Sequence, residues 1–403
     1  MTGHALPPPP ASAYAGRTVL VTGHTGFKGS WLALWLGRLG ASVVGVALDP
    51  PVAGAPGHFD ACATGAGLAA DLRADVRDAP ALAAVLDRHR PEAVFHLAAQ
   101  PLVRRAYADP LGTFATNAMG TANLLEAARL CPATRAVVVA TSDKAYRNLG
   151  WDWGYRETDA LGGHEPYAAS KACAELVAEV YRSPAFLAHA APGPRPRGLP
   201  LSVATARAGN VVGGGDRAED RLVPDVVRAL LAGRDVVLRN PDATRPWQHV
   251  LDCLAGYLVL GARLLSEPGR FEDAWNFGPC EAEPPLPVGA LAERFLAHWP
   301  TPPGGKAARL VVERDPAGKE AAALRVDSSR AVARLGWRPV WDTGRALAAT
   351  AEWYRRAAES PAPGAMREAT LGQIAAYTED ARALGLAWAA DPPAAPSVRA
   401  AAE

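Results

Sequence analysis

The sequence predicts an α/β protein with a Rossmann-type doubly wound parallel sheet and a smaller mixed α/β domain toward the C-terminus. Between residues 16 and about 210, short runs rich in β-branched residues alternate with segments of helical periodicity. This alternation is typical of a parallel sheet with helices on both faces. The first predicted strand runs into a glycine-rich turn, and the elements beyond residue 210 become irregular. We therefore expect two packed units.

The predicted elements follow one another along the chain. Strands are expected at residues 17–22, 41–48, 93–97, 136–141 and 201–206. Helices are expected at residues 31–39, 80–89, 111–129, 167–181, 223–232 and 370–384. A proline-rich stretch at 183–200 is predicted to form a surface loop.

These elements suggest four regions. Residues 1–15 are rich in Pro and Ala and are predicted to form a disordered tail. Residues 16–210 form the predicted Rossmann domain, to which part of 250–278 is expected to return. The second domain covers mainly 211–360, and an Ala/Pro-rich, partly helical extension covers 361–403. In such folds ligands bind in the crevice outside the carboxyl ends of the strands.

Composition and charge argue against several kinds of partner. The 42 Lys and Arg residues balance 41 Asp and Glu residues, leaving a net charge of +1, so no overall field attracts nucleic acid or an anionic membrane. The five cysteines are scattered without a C-x-x-C pair, which argues against disulfides and a structural metal site: Cys62, Cys131, Cys173, Cys253 and Cys280. Neither a signal peptide nor an apolar run of about 18 residues is visible. We expect a cytoplasmic protein without a metal.

The glycine-rich turn predicts a dinucleotide site. Gly23, Gly26 and Gly29 lie between the first strand and the first helix. Gly23 permits a tight turn, Gly26 lets a pyrophosphate approach the backbone, and Gly29 permits close packing of the helix. The helix N-terminus offers free N–H groups to the phosphates. Three spaced glycines alone also occur in ordinary tight turns, but the flanking strand and helix favour the dinucleotide.

The choice between NAD and NADP depends on the residues that meet the adenosine ribose. An acid at the end of the second strand accepts the 2′-hydroxyl, whereas an arginine accepts a 2′-phosphate. Asp49 is the only acid in that stretch and no arginine occurs there, which favours NAD. Asp49 precedes two prolines, so a solvated turn residue is the alternative. Asp75 is a candidate adenine contact, with helix capping as its alternative.

Tyr167 and Lys171 form a candidate acid–base pair. One helical turn separates them at the start of a predicted helix, so both side chains lie on one face. An ammonium group beside a phenol favours the phenolate, which can act as a base near neutral pH. The alternative is an exposed Tyr and Lys pair on the helix surface.

Ser142, Asp143 and Lys144 form a second candidate cluster. They follow the strand predicted at 136–141, at the edge where parallel sheets carry their chemistry. A hydroxyl, a carboxyl and an amine offer an orienting group, a proton donor and a base. Taken alone, the run would be an ordinary polar turn.

Together these motifs resemble the extended short-chain dehydrogenase/reductase family, and within it the nucleotide-sugar 4,6-dehydratases that act on CDP-glucose. The resemblance extends from about residue 16 to residue 377. Its most specific part is the loop Thr-Gly-His-Thr-Gly-Phe-Lys-Gly-Ser-Trp at 22–31. Further matching segments lie at 96–100, 141–144, 154–157, 161–164, 206–210, 213–216, 220–224, 239–241 and 244–250.

The resemblance implies a bound NAD and an internal redox cycle. Tyr167, aided by Lys171 and Ser142, would take the O4 proton of the sugar while C4 loses a hydride. Lys144 would remove the C5 proton, and protonated Asp143 would assist the loss of O6 as water. In sister dehydratases acting on dTDP- and GDP-sugars a Glu replaces this Lys. Burial must supply part of the raised pKa of Asp143 and the lowered pKa of Lys144 that these roles need.

The resemblance also implies the binding residues and the partners. The implied cofactor-binding set, besides Tyr167 and Lys171, is Gly23, Thr25, Gly26, Phe27, Lys28, Gly29, Asp49, Asp75, Val76, Leu97, Ala98 and Ala99. The implied substrate-binding set is Gln100, Arg104, Asn210, Arg221, Leu222, Val223, Arg245 and His249, with Asn210 and Arg245 at the pyrophosphate. The implied substrate is CDP-glucose, and the implied assembly is a homodimer through the helices at 111–129 and 167–181.

Three departures from the family pattern spare the catalytic set. Lys319 stands where a His is usual, which puts the role of that position in doubt. Ala145 replaces a cysteine after Lys144, and the loop at 183–200 and the tail after about 380 are long.

Other functions remain open at this stage. A dehydratase for another nucleotide sugar would keep most of these motifs, but Lys144 disfavours it. A nucleotide-sugar 4-epimerase or oxidoreductase would share Tyr167 and Lys171 and would need neither Asp143 nor Lys144. A non-enzymatic nucleotide-binding scaffold should have lost the Tyr and Lys pair.

Overall fold

A seven-stranded parallel sheet forms the centre of the computed structural model, which describes residues 10–50, 57–189, 201–279, 286–300, 307–313 and 323–390. In the order along the chain the strands are β1 Thr18–Thr22, β2 Ser42–Ala47, β3 Ala70–Arg73, β4 Ala93–His96, β5 Ala136–Ala140, β6 Ser202–Ala208, β7 Val211–Val212, β8 Val236–Leu238, β9 Thr244–Arg245, β10 Gln248–His249, β11 Ala274–Phe277, β12 Leu286–Pro287 and β13 Leu310–Val312. The central sheet has the order β11-β6-β5-β4-β1-β2-β3. The remaining strands form three two-stranded sheets, β10 with β7, β12 with β9 and β13 with β8.

Helices cover both faces of this sheet. They are α1 Pro10–Tyr14, α2 Phe27–Arg38, α3 His58–Ala61, α4 Ala79–His89, α5 Val103–Ala108, α6 Pro110–Phe114, α7 Gly120–Leu130, α8 Pro166–Arg182, α9 Pro184–His189, α10 Leu222–Leu231, α11 Val250–Ser266, α12 Val288–Ala297, α13 Ser329–Leu335, α14 Thr343–Glu359 and α15 Arg367–Ala383. Val19 and Val21 of β1 belong to one hydrophobic cluster and Leu20 to another, so the strand is buried on both faces. The predicted fold class is therefore confirmed.

The strand order places the crevice of the sheet between β1 and β4. From β1 the chain proceeds to β2 and β3 on one side and returns to β4 on the other. The segments that leave the carboxyl ends of β1 and β4 lead away to opposite sides at this reversal, and the space between them has room for a ligand.

The boundaries predicted from the sequence differ from the structure in a few places. Helix α2 begins at Phe27, four residues before the prediction, and the helix expected at 111–129 contains a π-helical segment, Ala115–Met119, between α6 and α7. Strand β11 pairs with β6 in the central sheet. The four-region division itself stays a prediction. Residues 190–200 of the predicted loop lie outside the described residues, and Pro184–His189 is helical.

The prediction of a disordered tail is wrong for its last residues. Pro10–Tyr14 form helix α1, and Tyr14 is completely buried. The Tyr14 hydroxyl donates a hydrogen bond to the carbonyl oxygen of Leu258 in α11, at 2.7 Å. The Pro/Ala-rich composition predicted that the entropy cost of ordering this segment would keep it disordered. Burial of the Tyr14 ring offsets that cost. Residues 1–9 lie outside the described residues.

Helix α8 is fastened to the sheet by a buried ion pair. Glu175 of α8 accepts hydrogen bonds from Arg207 Nη2 at 2.9 Å and from Thr205 Oγ1 at 2.7 Å, both on β6. The hydroxyl of Thr141, just after β5, also donates to Glu175. Burial alone would raise the pKa of Glu175, but Arg207 and the two hydroxyls outweigh it and lower the pKa. The carboxylate is therefore ionised and fully engaged.

Glu175→Gln is expected to lower the free energy of unfolding by about 3 to 5 kcal/mol, because it leaves the Arg207 charge buried without its partner. Urea unfolding checks this. Glu179→Gln, one turn further along α8 at an exposed position, is the matched control and should change stability by no more than about 0.5 kcal/mol. Equal effects of the two substitutions would contradict the assigned role of the pair.

Candidate active site

The glycine turn forms a backbone cradle that fits a pyrophosphate. Gly23 has a φ of +74°, and a Cβ atom there would lie 2.7 Å from the backbone nitrogen of Ala98. A Cβ atom on Gly29 would lie 2.1 Å from the carbonyl oxygen of Gly23. Gly26 caps α2 without a side-chain hydrogen bond, so the first N–H groups of the helix face the turn. Gly23 and Gly29 admit only glycine, whereas a Cβ atom on Gly26 would make a tight contact of 3.2 Å with the carbonyl oxygen of Gly23. The free N–H groups suit an anion.

A charged network lies at the predicted adenosine end of this cradle. Asp49 follows β2, and its carboxylate accepts a hydrogen bond from Arg73 Nε at 2.9 Å. Arg73 ends β3 and also pairs with Asp71, which in turn contacts His24 Nε2 at 2.6 Å. Arg73 was not predicted from the sequence, because it belongs to β3 and the residues after β2 are the usual contacts of the ribose. The parallel register of β2 and β3, which sets Ala47 opposite Arg73, is the signal that could have found it.

The other residues predicted to hold the cofactor surround the same turn. Thr25 donates its hydroxyl hydrogen bond to the carbonyl oxygen of Leu48 at 3.0 Å. Asp75 binds Arg77, with Nη2 to Oδ2 at 2.6 Å, and Arg77 lowers the pKa of the Asp75 carboxyl. Asp75 does not cap α4, since Asp78 does. Val76 is buried, while Phe27, Lys28, Leu97 and Ala99 line a cavity at the carboxyl edge of the sheet.

The Ser142, Asp143 and Lys144 run lies where β5 ends and begins a short 3₁₀ turn, Asp143–Ala145. Ser142 Oγ donates to Asp143 Oδ1 at 3.0 Å and accepts the Lys144 backbone N–H at 3.2 Å. Asp143 is buried, and its Oδ2 has no hydrogen-bond partner among the described residues. Burial raises the pKa of Asp143, opposed by Lys144, Ser142 and Arg245. This environment favours a carboxyl group that keeps a proton.

Tyr167 and Lys171 face the same point from α8. The carboxylate of Glu165 caps the helix by accepting the backbone N–H groups of Tyr167 and Ala168. Pro166 occupies the first helical position, where a missing N–H costs nothing. Both side chains are buried, and Lys171 Nζ donates to the carbonyl oxygen of Ala140 at the end of β5, at 3.2 Å.

The electrostatics of this pair differ from the sequence-based interpretation. Burial lowers the pKa of Lys171 to about 7, helped by Lys28 and opposed by Glu175. Burial raises the pKa of Tyr167 to about 12, and the groups that counteract it are Ser142 and Arg221. In this structure the Lys171 ammonium is therefore not what favours a Tyr167 phenolate.

A cavity of about 480 Å³ connects the catalytic cluster with α10 and β8. It brings together six of the eight residues predicted to bind substrate, namely Arg104, Asn210, Arg221, Leu222, Val223 and Arg245, with Ser142, Asp143, Lys144, Tyr167 and Lys171. Arg221 is paired with Asp216, with Nη1 to Oδ2 at 2.9 Å. Trp247 also lines the cavity, and its indole nitrogen has no hydrogen-bond partner within the described chain.

Two predicted substrate residues do not line this cavity. His249 is completely buried between Trp31 and Trp341, and its Nδ1 accepts the Leu251 N–H as the cap of α11. Burial lowers the pKa of His249 to about 3. His249 is therefore a neutral core residue, and its assignment to the substrate is wrong.

Gln100 is the second correction. Its Nε2 donates to Thr113 Oγ1 at 2.9 Å, and its Oε1 accepts the Leu102 N–H at 2.6 Å. Both ends of the amide are engaged, so Gln100 shapes the loop before α5, the helix that carries Arg104 at the cavity. Motif position alone could not distinguish this supporting role from a direct contact.

Among the described residues, no group of three or more His, Cys, Asp or Glu side chains is arranged to hold a metal ion. No helix in the described ranges is long and apolar enough to cross a membrane. Cys62, Cys131, Cys173 and Cys253 are free thiols; Cys280 and Lys319 lie outside the described residues.

The fold and the site define a dinucleotide-binding α/β enzyme of the short-chain dehydrogenase type. The chain belongs to the NAD dependent epimerase/dehydratase family, whose model matches residues 19–273. It is 42% identical over 345 residues to a CDP-glucose 4,6-dehydratase of Salmonella typhimurium, covering 85% of this chain and 91% of that protein. The resemblance deduced from the motifs, and with it NAD as the family's cofactor, is confirmed.

More distant relatives act on other nucleotide sugars. A UDP-glucose 4-epimerase of Mycolicibacterium smegmatis is 29% identical, with 83% of this chain and 98% of that protein covered. The structure of DesIV, a dTDP-glucose 4,6-dehydratase of Streptomyces venezuelae with NAD bound, superposes with a TM-score of 0.65. The two share 27% identity over 84% of this chain and 97% of that one.

Gly29→Ala is expected to abolish dinucleotide binding and to lower stability by about 3 kcal/mol, because the new Cβ overlaps the Gly23 carbonyl, which cannot move away. NAD titration and urea unfolding check both effects. Gly37→Ala, on the same helix with nothing near its Cβ position, should keep NAD binding and change stability by at most about 1 kcal/mol. Normal NAD binding by Gly29→Ala would rule out the cradle.

Lys171→Met is expected to remove a pH dependence of stability. The pKa of Lys171 falls from 10.5 to about 7 on burial, so between these values the unfolded chain binds the extra proton. The free energy of unfolding then rises with pH by up to about 1.4 kcal/mol per pH unit, a slope that the variant lacks. Urea unfolding at about pH 7.5 and about pH 9 measures it. Parallel pH profiles would show that Lys171 keeps an ordinary pKa.

Proposed function

We propose that this protein is a CDP-glucose 4,6-dehydratase, which converts CDP-D-glucose to CDP-4-keto-6-deoxy-D-glucose with loss of one water. The observation that carries the proposal is the pairing of Asp143 and Lys144 with Tyr167 and Lys171 around one cavity. An epimerase or a simple oxidoreductase needs only the second pair. The 42% identity to the Salmonella typhimurium enzyme of that name supports the same substrate.

The glycine cradle and the end of β2 would hold NAD, which would supply reversible hydride transfer between C4 and C6 of the sugar. Gly23, Gly26 and Gly29 leave space for the pyrophosphate at the N-terminus of α2. Asp49 would accept the ribose hydroxyl, held in place by Arg73. Lys171, buried beside Tyr167, would orient the other end of the cofactor.

The residues of the chain move the protons. Tyr167, hydrogen-bonded to Ser142, would take the O4 proton as a phenolate while C4 is oxidised to the ketone. The positive charge of the nicotinamide would supply the stabilisation of the phenolate that Lys171 does not. The ketone acidifies the C5 hydrogen, which Lys144 removes, and Asp143 gives its proton to the departing O6 hydroxyl to form water. A hydride then enters C6 and a proton returns to C5, so no net oxidation occurs. Burial raises the pKa of Asp143, which favours the protonated carboxyl that must donate a proton to the departing O6 hydroxyl.

Arginines at the cavity suit the diphosphate of the substrate. Arg245 and Asn210 line the cavity together with the catalytic cluster and residues of α10. A guanidinium grips phosphate oxygens through two parallel hydrogen bonds. This placement would set the glucose ring against Tyr167 and the base toward α10.

Incubation with NAD and CDP-glucose in D₂O tests the proposal. We expect loss of one water, one solvent deuterium at C5 by NMR, and no accumulation of free NADH. A 4-epimerase would instead return an isomer of unchanged mass without deuterium, and either result identifies the class. dTDP-, GDP- and UDP-glucose serve as competing substrates.

Lys144→Gln is expected to stop the reaction after oxidation at C4. The variant should lose turnover by at least about 100-fold, a typical contribution of a general base, while the absorbance of bound NADH rises when CDP-glucose is added. Tyr167→Phe should lose turnover to a similar degree without that rise, because oxidation itself fails. Rapid dehydration by Lys144→Gln would remove Lys144 from the mechanism.

We also propose a homodimer through the outer faces of α6, α7 and α8. Leu176 and Val180, four residues apart on α8, are exposed, as are Leu111 and Met119 on the neighbouring helices. Exposed apolar stripes of this kind mark interfaces. Light scattering should give about twice 42.1 kDa, Leu176→Glu should halve that mass, and the control Leu384→Glu, at an exposed site on the C-terminal extension, should not. A wild-type monomer would refute the proposed dimer.

The cytoplasmic location also stays a prediction, which cell fractionation tests.

A further inference from the structure

The part of the cavity formed by α10 and the end of β8 holds charged groups that the proposed reaction does not use. Asp220, Asp225 and Arg239 all line it. Arg239 extends from the end of β8, Asp225 lies in the first turn of α10, and Asp220 precedes that helix. The arginines Arg239, Arg228 and Arg104 pair with these carboxylates, which offsets their repulsion from a diphosphate ligand.

Hydrogen bonds and an ion pair fix the positions of these side chains relative to one another. Asp220 has a left-handed φ of +59° and accepts a hydrogen bond from Arg239 Nη1 at 2.6 Å. Arg228 donates to Asp225 Oδ1. The second oxygen of Asp225, Oδ2, lies 3.8 Å from Arg239 Nη2. Asp220 therefore holds Arg239 in place, and Arg228 holds Asp225. This arrangement sets a hydrogen-bond acceptor, Asp225 Oδ2, next to a donor, Arg239 Nη2, and we call this pair of atoms the polar edge.

The walls next to this edge suit a flat ring. Val237 and Leu238 of β8, Ala243, and Val288 of α12 line the same cavity. Apolar walls with a few placed polar groups are the usual form of a site that recognises a ring. With the sugar at Ser142 and Tyr167 and the diphosphate at Asn210 and Arg245, the base would extend toward α10 and β8 in the same cavity.

The pyrimidine bases differ in the pattern of their pairing edges. Cytosine presents the N4 amine, a donor, next to N3, an acceptor. Uracil and thymine present the O4 carbonyl, an acceptor, next to the N3–H donor. An acceptor beside a donor on the protein therefore matches cytosine and opposes the other two bases.

We propose that Asp225 and Arg239 select cytosine, with Asp225 accepting from the N4 amine and Arg239 donating to N3. The inference rests on the proposed function for the presence of a cytidine diphosphate sugar. Asp220 and Arg228 act as positioning residues, because they orient the two groups that touch the base.

Calorimetric binding of CDP and UDP to the NAD-loaded protein tests the inference without any sugar chemistry. We expect the wild type to bind CDP at least about 10-fold more tightly than UDP, since a mismatched base would cover the polar groups of Asp225 and Arg239 without pairing them. Asp225→Asn should reduce this ratio at least about 10-fold, mainly by weakening CDP. The amide offers both a donor and an acceptor and so pairs with either edge.

Asp235→Asn is the matched control, because Asp235 forms a similar ion pair with Arg309 at 2.7 Å away from the cavity lining. It should keep the wild-type CDP to UDP ratio. Arg239→Gln provides a second test of the same edge and should also reduce the ratio, whether or not Asp225→Asn folds. An unchanged ratio in the folded edge variants would overturn the inference.

The outcomes separate this inference from the proposed reaction. Dehydration of CDP-glucose by the wild type together with an unchanged ratio in the variants would overturn only the base selection. A reduced ratio in the variants without any dehydration would support the base selection and overturn the reaction. A wild type that binds UDP as tightly as CDP would overturn the inference directly.

Discussion

The buried pair of Glu175 and Arg207 is the interaction on which the catalytic geometry depends. Glu175 lies one turn beyond Lys171 on α8, and its partners lie on β6 and just after β5. The pair therefore fixes the distance between the helix that carries Tyr167 and the strand end that carries Ser142. Charge is tolerated in this position because every carboxylate oxygen accepts a hydrogen bond, which meets much of the cost of leaving water.

Short sequence patterns predicted the elements whose structure depends mainly on neighbouring residues along the chain. Strands β1, β4 and β5 lie within a residue of their predicted positions because each is a short apolar run buried on both faces. The glycine turn was recognisable because close approaches between backbone atoms exclude any other residue at Gly29. The cluster after β5 was recognisable because parallel strands end at a common edge.

The remaining features depend on contacts between distant segments, which a single sequence does not display. Arg73 meets Asp49 only through the register of β2 and β3, and Tyr14 is anchored by Leu258, 244 residues away. His249 and Gln100 belong to motifs of the family, yet their side chains support helix α11 and a loop. A motif identifies a position that matters, and only the neighbours of that position show whether it binds or supports.

Two buried carboxyl groups near the active site illustrate how neighbours set chemistry. Glu175 and Asp143 are both almost inaccessible to solvent, and burial raises the pKa of each. Around Glu175 a guanidinium and two hydroxyls reverse that effect, which yields a structural anion. Around Asp143 one oxygen is left without a partner in the described chain, so burial prevails and the pKa stays raised. The same fold thus makes Glu175 a structural carboxylate and Asp143 a candidate acid, because only Asp143 faces the cavity.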